Sequence, residues 1–250
     1  MNAMDIRGLC KKYPAFELKD VTFSVPQGAV MGFIGRNGAG KSTTIKSILG
    51  LVHPDAGQVE ILGRDFAEDE RFIKENIGVV LGGIDFYPKK KIGTLTNVTR
   101  RFYENWDEEK YRHYLSLFAI DESKRVDQLS SGMQVKCMIA LALSHNAKLL
   151  ILDEPTSGLD PVSRDELTEL LRRIAADGRR SVLFSTHITS DLEKCASHIA
   201  FIKEGELQYT GMLEQFRQHY AYLQQGDTPL TLEDIIVAVE RRPLDEDAII

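Results

Sequence analysis

Val30-Met31-Gly32-Phe33-Ile34-Gly35-Arg36-Asn37-Gly38-Ala39-Gly40-Lys41-Ser42-Thr43-Thr44-Ile45 carries two structural signals and a loop between them. Val30 to Ile34 is a short apolar run of the kind that forms a strand buried on both faces. From about Lys41 the spacing turns helical, with Ile45, Ile48 and Leu49 on one face. The residues between, Gly35 to Ser42, fit the pattern GxxxxGK[ST]. Glycines let the backbone wrap closely around phosphates, and successive N–H groups and the helix N-terminus then point at the anion. Lys41 adds a charge at the β and γ phosphates, and Ser42 offers a hydroxyl to Mg²⁺. The candidate nucleotide contacts are therefore Gly35, Asn37, Gly38, Ala39, Gly40, Lys41, Ser42 and Thr43. A Gly-rich turn can hold a lysine by chance; a strand before it and a helix after it make this one a phosphate loop.

On either side, strand and helix patterns alternate. Leu18 to Val30 has strand-like alternation broken at Pro26-Gln27-Gly28, and His53 to Gly57 reads as a turn. Val59 to Leu62 and Ile77 to Leu81 read as further strands. The region from about Gly83 to Asn146 is mainly helical. Asp107 can cap a helix carrying Tyr111, Tyr114, Leu115 and Phe118, and a second helix starts near Ser131 with Val135, Met138, Ile139 and Ala142 inward. Leu149 to Leu152 returns to strand character. Asp160-Pro161 then opens a helix with Leu167, Leu170, Leu171 and Ile174 inward, stopping at Gly178. Ser181 to Ser185 and Ile199 to Ile202 are two more apolar strands. Such alternation predicts a parallel α/β core with a helical insertion. Past about Tyr220 the chain is polar until a short amphipathic segment, Leu232 to Val239.

Composition sets the frame. The 250 residues are 43% hydrophobic and 27% charged, as in an ordinary globular protein. A net charge of −6 disfavours nucleic acid as the main partner, since a phosphate backbone needs a basic face. Cys10, Cys137 and Cys195 are odd in number and widely spaced, which gives neither a disulfide framework nor a metal knuckle, and they read as small buried hydrophobes. No charged-then-apolar leader is present, and no apolar run reaches the roughly 18 to 20 residues of a membrane span. Work at a membrane then requires another chain to hold this one there.

Lys148 to Glu154 reads KLLILDE, an apolar strand ending in two carboxylates at the edge of a parallel sheet where ligands bind. Asp153 can hold Mg²⁺, directly or through water, and Glu154 can orient and polarise an attacking water. Alone the pair would be an acidic helix cap; beside a phosphate loop it reads as catalytic.

Leu129-Ser130-Ser131-Gly132-Met133, at the start of a helix ahead of that strand, resembles the LSGGQ signature of ABC ATPases. Ser157-Gly158-Leu159-Asp160 resembles the D-loop of that family, and His187, in Ser185-Thr186-His187, its switch histidine and γ-phosphate sensor. Tyr13 is similar to the aromatic that stacks on adenine. The resemblance covers about residues 4 to 218. Ile77-Gly78-Val79-Val80, Trp106-Asp107-Glu108-Glu109 and the stretch Phe184 to Glu193 resemble exporter ATPases of the ABC-2 class, including the branch linked to bacitracin-type resistance.

The resemblance implies a P-loop NTPase with a RecA-like parallel core, an N-terminal antiparallel β subdomain and a helical subdomain inserted at about 83–146. It implies one nucleotide-binding domain over 1–220, followed by a tail over 221–250. It also implies Mg²⁺-dependent ATP hydrolysis with Glu154, His187 and Lys41 as catalytic residues, Asp160 as a further nucleotide-binding residue, and a second nucleotide-binding domain whose Ser130 and Gly132 face the phosphate loop in a homo- or heterodimer. A separate transmembrane permease and a place on the inner, cytoplasmic face of the cell membrane follow, with no nucleic-acid partner. In the ABC transporters this chain resembles, the region of Phe86 and Tyr87 forms the groove for the permease. Three positions depart from the family pattern. Ser131 replaces a glycine and Met133 the signature glutamine, while Gly82 stands where the Q-loop glutamine is usual. The alternatives are a soluble ABC ATPase acting on ribosomes or DNA, a GTPase and a binding-only domain. The first lacks the second domain, coiled coils or basic tail of such proteins, the second lacks an NKxD-like motif, and Glu154 argues against the third.

Overall fold

A computed structural model describes residues 1–81, 87–224 and 230–241. The chain begins with β1 (Asn2–Tyr13) and β2 (Phe16–Pro26), an antiparallel hairpin, followed by β3 (Val30–Ile34) and α1 (Lys41–Ile48). Then come β4 (Ala56–Ile61), β5 (Arg64–Asp65), α2 (Glu70–Asn76) and β6 (Ile77–Leu81). The central helices are α3 (Ile92–Thr99), α4 (Glu108–Leu117) and α5 (Ser131–Ser144). The remainder is β7 (Leu149–Asp153), α6 (Pro161–Ala175), β8 (Ser181–Thr186), α7 (Thr189–Cys195), β9 (His198–Lys203), β10 (Glu206–Met212), α8 (Leu213–His219) and α9 (Leu232–Glu240).

Two sheets organise these elements. One is four-stranded and antiparallel, in the order β2-β1-β4-β5. The other is six-stranded, in the order β10-β9-β3-β8-β7-β6, and parallel except for β10 on β9. Every residue of β3, β7 and β8 is buried, as expected for strands covered on both faces. Because β3, β8 and β7 are neighbours and parallel, the loops leaving their C-terminal ends share one edge of the sheet. That edge carries the chemistry described below.

The helical region has its own apolar cluster, in which Ile92, Tyr111, Leu115, Ile120, Leu129, Cys137 and Leu141 meet. Asp107 caps α4 by accepting from the Lys110 N–H. Helix α5 differs from the simple inward stripe expected for it: from Ile139 to Ser144 every residue is buried, because α4 covers one side and β6 the other.

Other details of the elements refine the sequence reading. The long strand β1 lacks clean alternation because its pairing with β2 shifts register between Asn2 and Met4, between Ile6 and Leu9, and between Leu9 and Lys11, which breaks the period of two. Ala56 and Gly57, read as part of a turn, already belong to β4. Helix α6 ends at Ala175, and Gly178 lies beyond it with φ +71°. The amphipathic segment read at Leu232 to Val239 is α9, whose Leu232 and Ile235 are fully buried in the main core, beside α7. Cys137 and Cys195 are buried and Cys10 half-buried, all three as free thiols.

Candidate functional site

The loop between β3 and α1 reaches its shape through unusual backbone. Gly40, which precedes α1, has φ +115°, a region closed to side chains with a Cβ. Gly35 leaves no room for one either: a Cβ there would lie 2.3 Å from the Ile202 carbonyl oxygen. Beside Gly38 the space is open, with nothing within 4 Å of a Cβ position. The first N–H groups of α1 therefore face a concave, accessible surface, the arrangement that suits an anion.

That surface belongs to an open cleft of about 510 Å³ lined by Tyr13, Ala15, Phe16, Asn37, Gly38, Gly40, Lys41, Ser42, Thr43 and Glu154. Lys41 is buried to 5% exposure, and its ammonium donates to the carbonyls of Gly35 (2.7 Å) and Arg36 (3.2 Å). It also pairs with Glu154 Oε1 at 3.1 Å. The other carboxylate oxygen of Glu154 lies 2.8 Å from His187 Nδ1. Lys41, Glu154 and His187 leave the ends of three neighbouring strands and meet at one carboxylate.

Glu154 is held by its backbone. It has φ +49°, rare for a residue with a side chain, and its N–H donates to Ser185 Oγ at 2.9 Å. The same hydroxyl donates to Asp153 Oδ1 at 2.6 Å, so one serine of β8 ties down Asp153 at the end of β7 and Glu154 just beyond it. Asp153 is buried next to Glu154, and Ala39 is buried within the loop. Tyr13, at 39% exposure, presents its ring to the cleft, with the Lys11 ammonium 5.8 Å from the ring centroid.

The remaining expected contacts lie elsewhere. Ser130 is exposed at the N-terminus of α5, where its hydroxyl accepts from the Met133 N–H at 3.3 Å. Buried Gly132 faces the start of α6, and a Cβ there would be 3.0 Å from both Cβ and Oγ of Ser163. Asp160 caps α6 by accepting from Val162 N (3.0 Å) and Ser163 N (3.1 Å). The Ser163 donors, helped by Val162, hold its carboxyl below the usual range. None of the three lines the Lys41 cleft.

A family model described as "ABC transporter" matches residues 18–157. The chain belongs to the ABC transporter family. Among curated relatives, the bacitracin transport ATP-binding protein BcrA of Bacillus licheniformis is 35% identical over 202 residues, covering 80% of this chain and 66% of that protein. The Nod factor export ATP-binding protein I of Burkholderia orbicola (strain AU 1054) is 34% identical over 208 residues, covering 81% and 68%. The solved structure of an ATP-binding subunit of an ABC transporter superposes with a TM-score of 0.82 at 27% identity, covering 95% of this chain and 99% of that one. The protein is accordingly an ATP-binding, ATP-hydrolysing subunit of an ABC transporter, and the soluble alternative on ribosomes or DNA finds no support.

Sequence reasoning missed Ala15 and Phe16 as lining residues and Ser185 as the anchor of both carboxylates. Phe16 was within reach, because it directly follows the turn after Tyr13 in the hairpin. Ser185 was not, because the strand order that places β8 against β7 cannot be read from the sequence. Gly82 and Phe86 lie outside the described residues.

Proposed function

We propose that this ABC subunit drives export through a separate permease, using two ATP sites formed between paired nucleotide-binding domains. The convergence of Lys41, Glu154 and His187 on one cleft carries the hydrolytic part of this reading. The cleft fits a nucleotide by its donor chemistry: an open backbone cradle at Gly38, a helix N-terminus, a buried ammonium, and a Tyr13 face for a base. Ser42 and Asp153 are the residues that would hold Mg²⁺, which supplies charge neutralisation on phosphate oxygens when bound. Lys41 neutralises charge at the β and γ phosphates. Glu154 accepts the proton side of an attacking water and orients it, and His187, hydrogen-bonded to that carboxylate, reports on the γ-phosphate.

Ser130, Gly132 and Asp160 lie outside the cleft, which supports their acting on the nucleotide of a partner domain. The α5 N-terminus would then place its positive end near the γ-phosphate in trans. For a permease contact, Tyr87 is 65% exposed and Phe102 75% exposed at the margin of the helical region, and Val98 is exposed close by in sequence. Lys89, Lys90 and Lys91 are solvated. Among the described residues no helix is long and apolar enough to cross a membrane, so the reading places the protein on the inner face of the membrane through its permease. Export follows the relative named for Nod factor export. Co-purification of the tagged chain with the product of a neighbouring permease gene, with ATPase stimulation on reconstitution, tests the reading; a chain that hydrolyses ATP and binds no permease sinks it.

A further inference from the structure

Several buried polar groups that this mechanism does not use gather between α6 and α7. Asp191, on α7, is 1% exposed, and neither carboxylate oxygen completes a hydrogen bond among the described residues. Arg164 Nε, on α6, lies 4.0 Å away and is itself without an acceptor. Thr156 Oγ1, fully buried in the segment after Glu154, is a third group beside the carboxylate with no completed hydrogen bond. Burial pushes the Asp191 carboxyl above its ordinary range, while Thr156, Arg164, Lys194 and Thr186 pull the other way.

An incompletely paired buried carboxylate is costly and calls for an explanation. Holding α6 to α7 does not need it, because Leu167, Leu171, Leu192 and Cys195 already share one apolar cluster. Apolar contact is non-directional, however, and leaves the two segments free to slide. The carboxylate stands where sliding matters. Asp191 follows His187 by four residues, Thr156 follows Glu154 by two, and Arg164 follows Asp160 by four. The 2.8 Å contact between His187 and Glu154 depends on how these two segments sit against each other.

We propose that Asp191 is a positioning residue that, through Arg164 and Thr156, fixes the His187-bearing segment against the segment running from Glu154 to Asp160. The proposal rests on the reading of Glu154 and His187 as the hydrolytic pair.

The test uses the full chain. Asp191→Asn keeps the shape and removes the charge, so the melting temperature holds or rises. Affinity for a fluorescent ATP analogue stays within about twofold, while kcat falls about tenfold, the size of a typical coupling between interacting residues. In a His187→Ala background the same change produces no further loss. Arg164→Met, at a half-exposed side chain, gives the same kcat loss and decides the matter if Asp191→Asn does not fold. Unchanged kcat in folded Asp191→Asn, or an equal loss in both backgrounds, overturns the proposal while leaving the hydrolytic pair intact. Unchanged turnover in His187→Ala alone overturns that pair, and the proposal falls with it.

Discussion

The Lys41 cleft and the cluster at the starts of α5 and α6 use similar residues in opposite ways. In the cleft, charged groups answer one another: Lys41 meets Glu154, and Glu154 meets His187. At the helix starts, Ser130 and Asp160 cap the N–H groups of their own helices, and both residues are exposed. One region closes a circuit within the chain. The other presents two capped helix N-termini outward, where their positive ends can act only on something the chain does not itself supply. A site closed within one chain should fail by single substitution, and a site completed between chains should show rescue between two different lesions.

The largest effect should come from Lys41→Ala. It removes the buried ammonium opposite Glu154, and phosphate-release turnover should be abolished with weakened nucleotide binding by fluorescence titration. Wild-type turnover in that variant would end the assignment of the loop. Glu154→Gln should keep ATP binding and lower turnover by roughly 10² or more, as for loss of a single catalytic group. It should also accumulate an ATP-dependent dimer on size exclusion, and normal turnover would move the catalytic carboxylate elsewhere.

The comparison itself is tested by mixing lesions. A Lys41→Ala subunit combined with a Ser130→Arg subunit should recover part of the activity, because both lesions fall on one of two composite sites. Ser130 is preferred to Gly132 for this purpose, since a side chain at 132 would crowd Ser163 at 3.0 Å and blur folding with function. No recovery in verified mixed dimers would place Ser130 outside the catalytic cycle. A smaller change is expected for Tyr13→Ala, which should weaken ATP binding by about tenfold, within the 1–3 kcal/mol of one base–aromatic stack, with little change in kcat. An unaltered affinity would return Tyr13 to a packing role.

The smallest effect on hydrolysis belongs to the doubly exposed pair. Tyr87→Ala with Phe102→Ala should leave basal turnover within about twofold, as expected for surface substitutions, and abolish permease capture in a pull-down. A large fall in melting temperature would instead show that these rings support the helical region.

Much of this protein could be read locally. The strand–loop–helix at Val30 to Ile48, the caps at Asp107, Ser130 and Asp160, and the apolar strands at Leu149, Ser181 and Ile199 are each set by neighbours a few residues apart, and the structure contains each of them. Strand β1 escaped because three shifts in its pairing with β2 spoiled its period; α9 was legible as an amphipathic segment, but its burial depends on α7, distant in sequence. What the sequence alone determined was the presence of a phosphate loop, a strand ending in two carboxylates and a histidine after a third strand. Only the tertiary structure decided that the last of these strands lies between the other two. That order brings Glu154 onto both Lys41 and His187, and no local pattern specifies it, because parallel pairing joins Val30 to Val182 and Leu149 to Ser181, positions remote from one another in sequence, and is chosen by burial of whole faces.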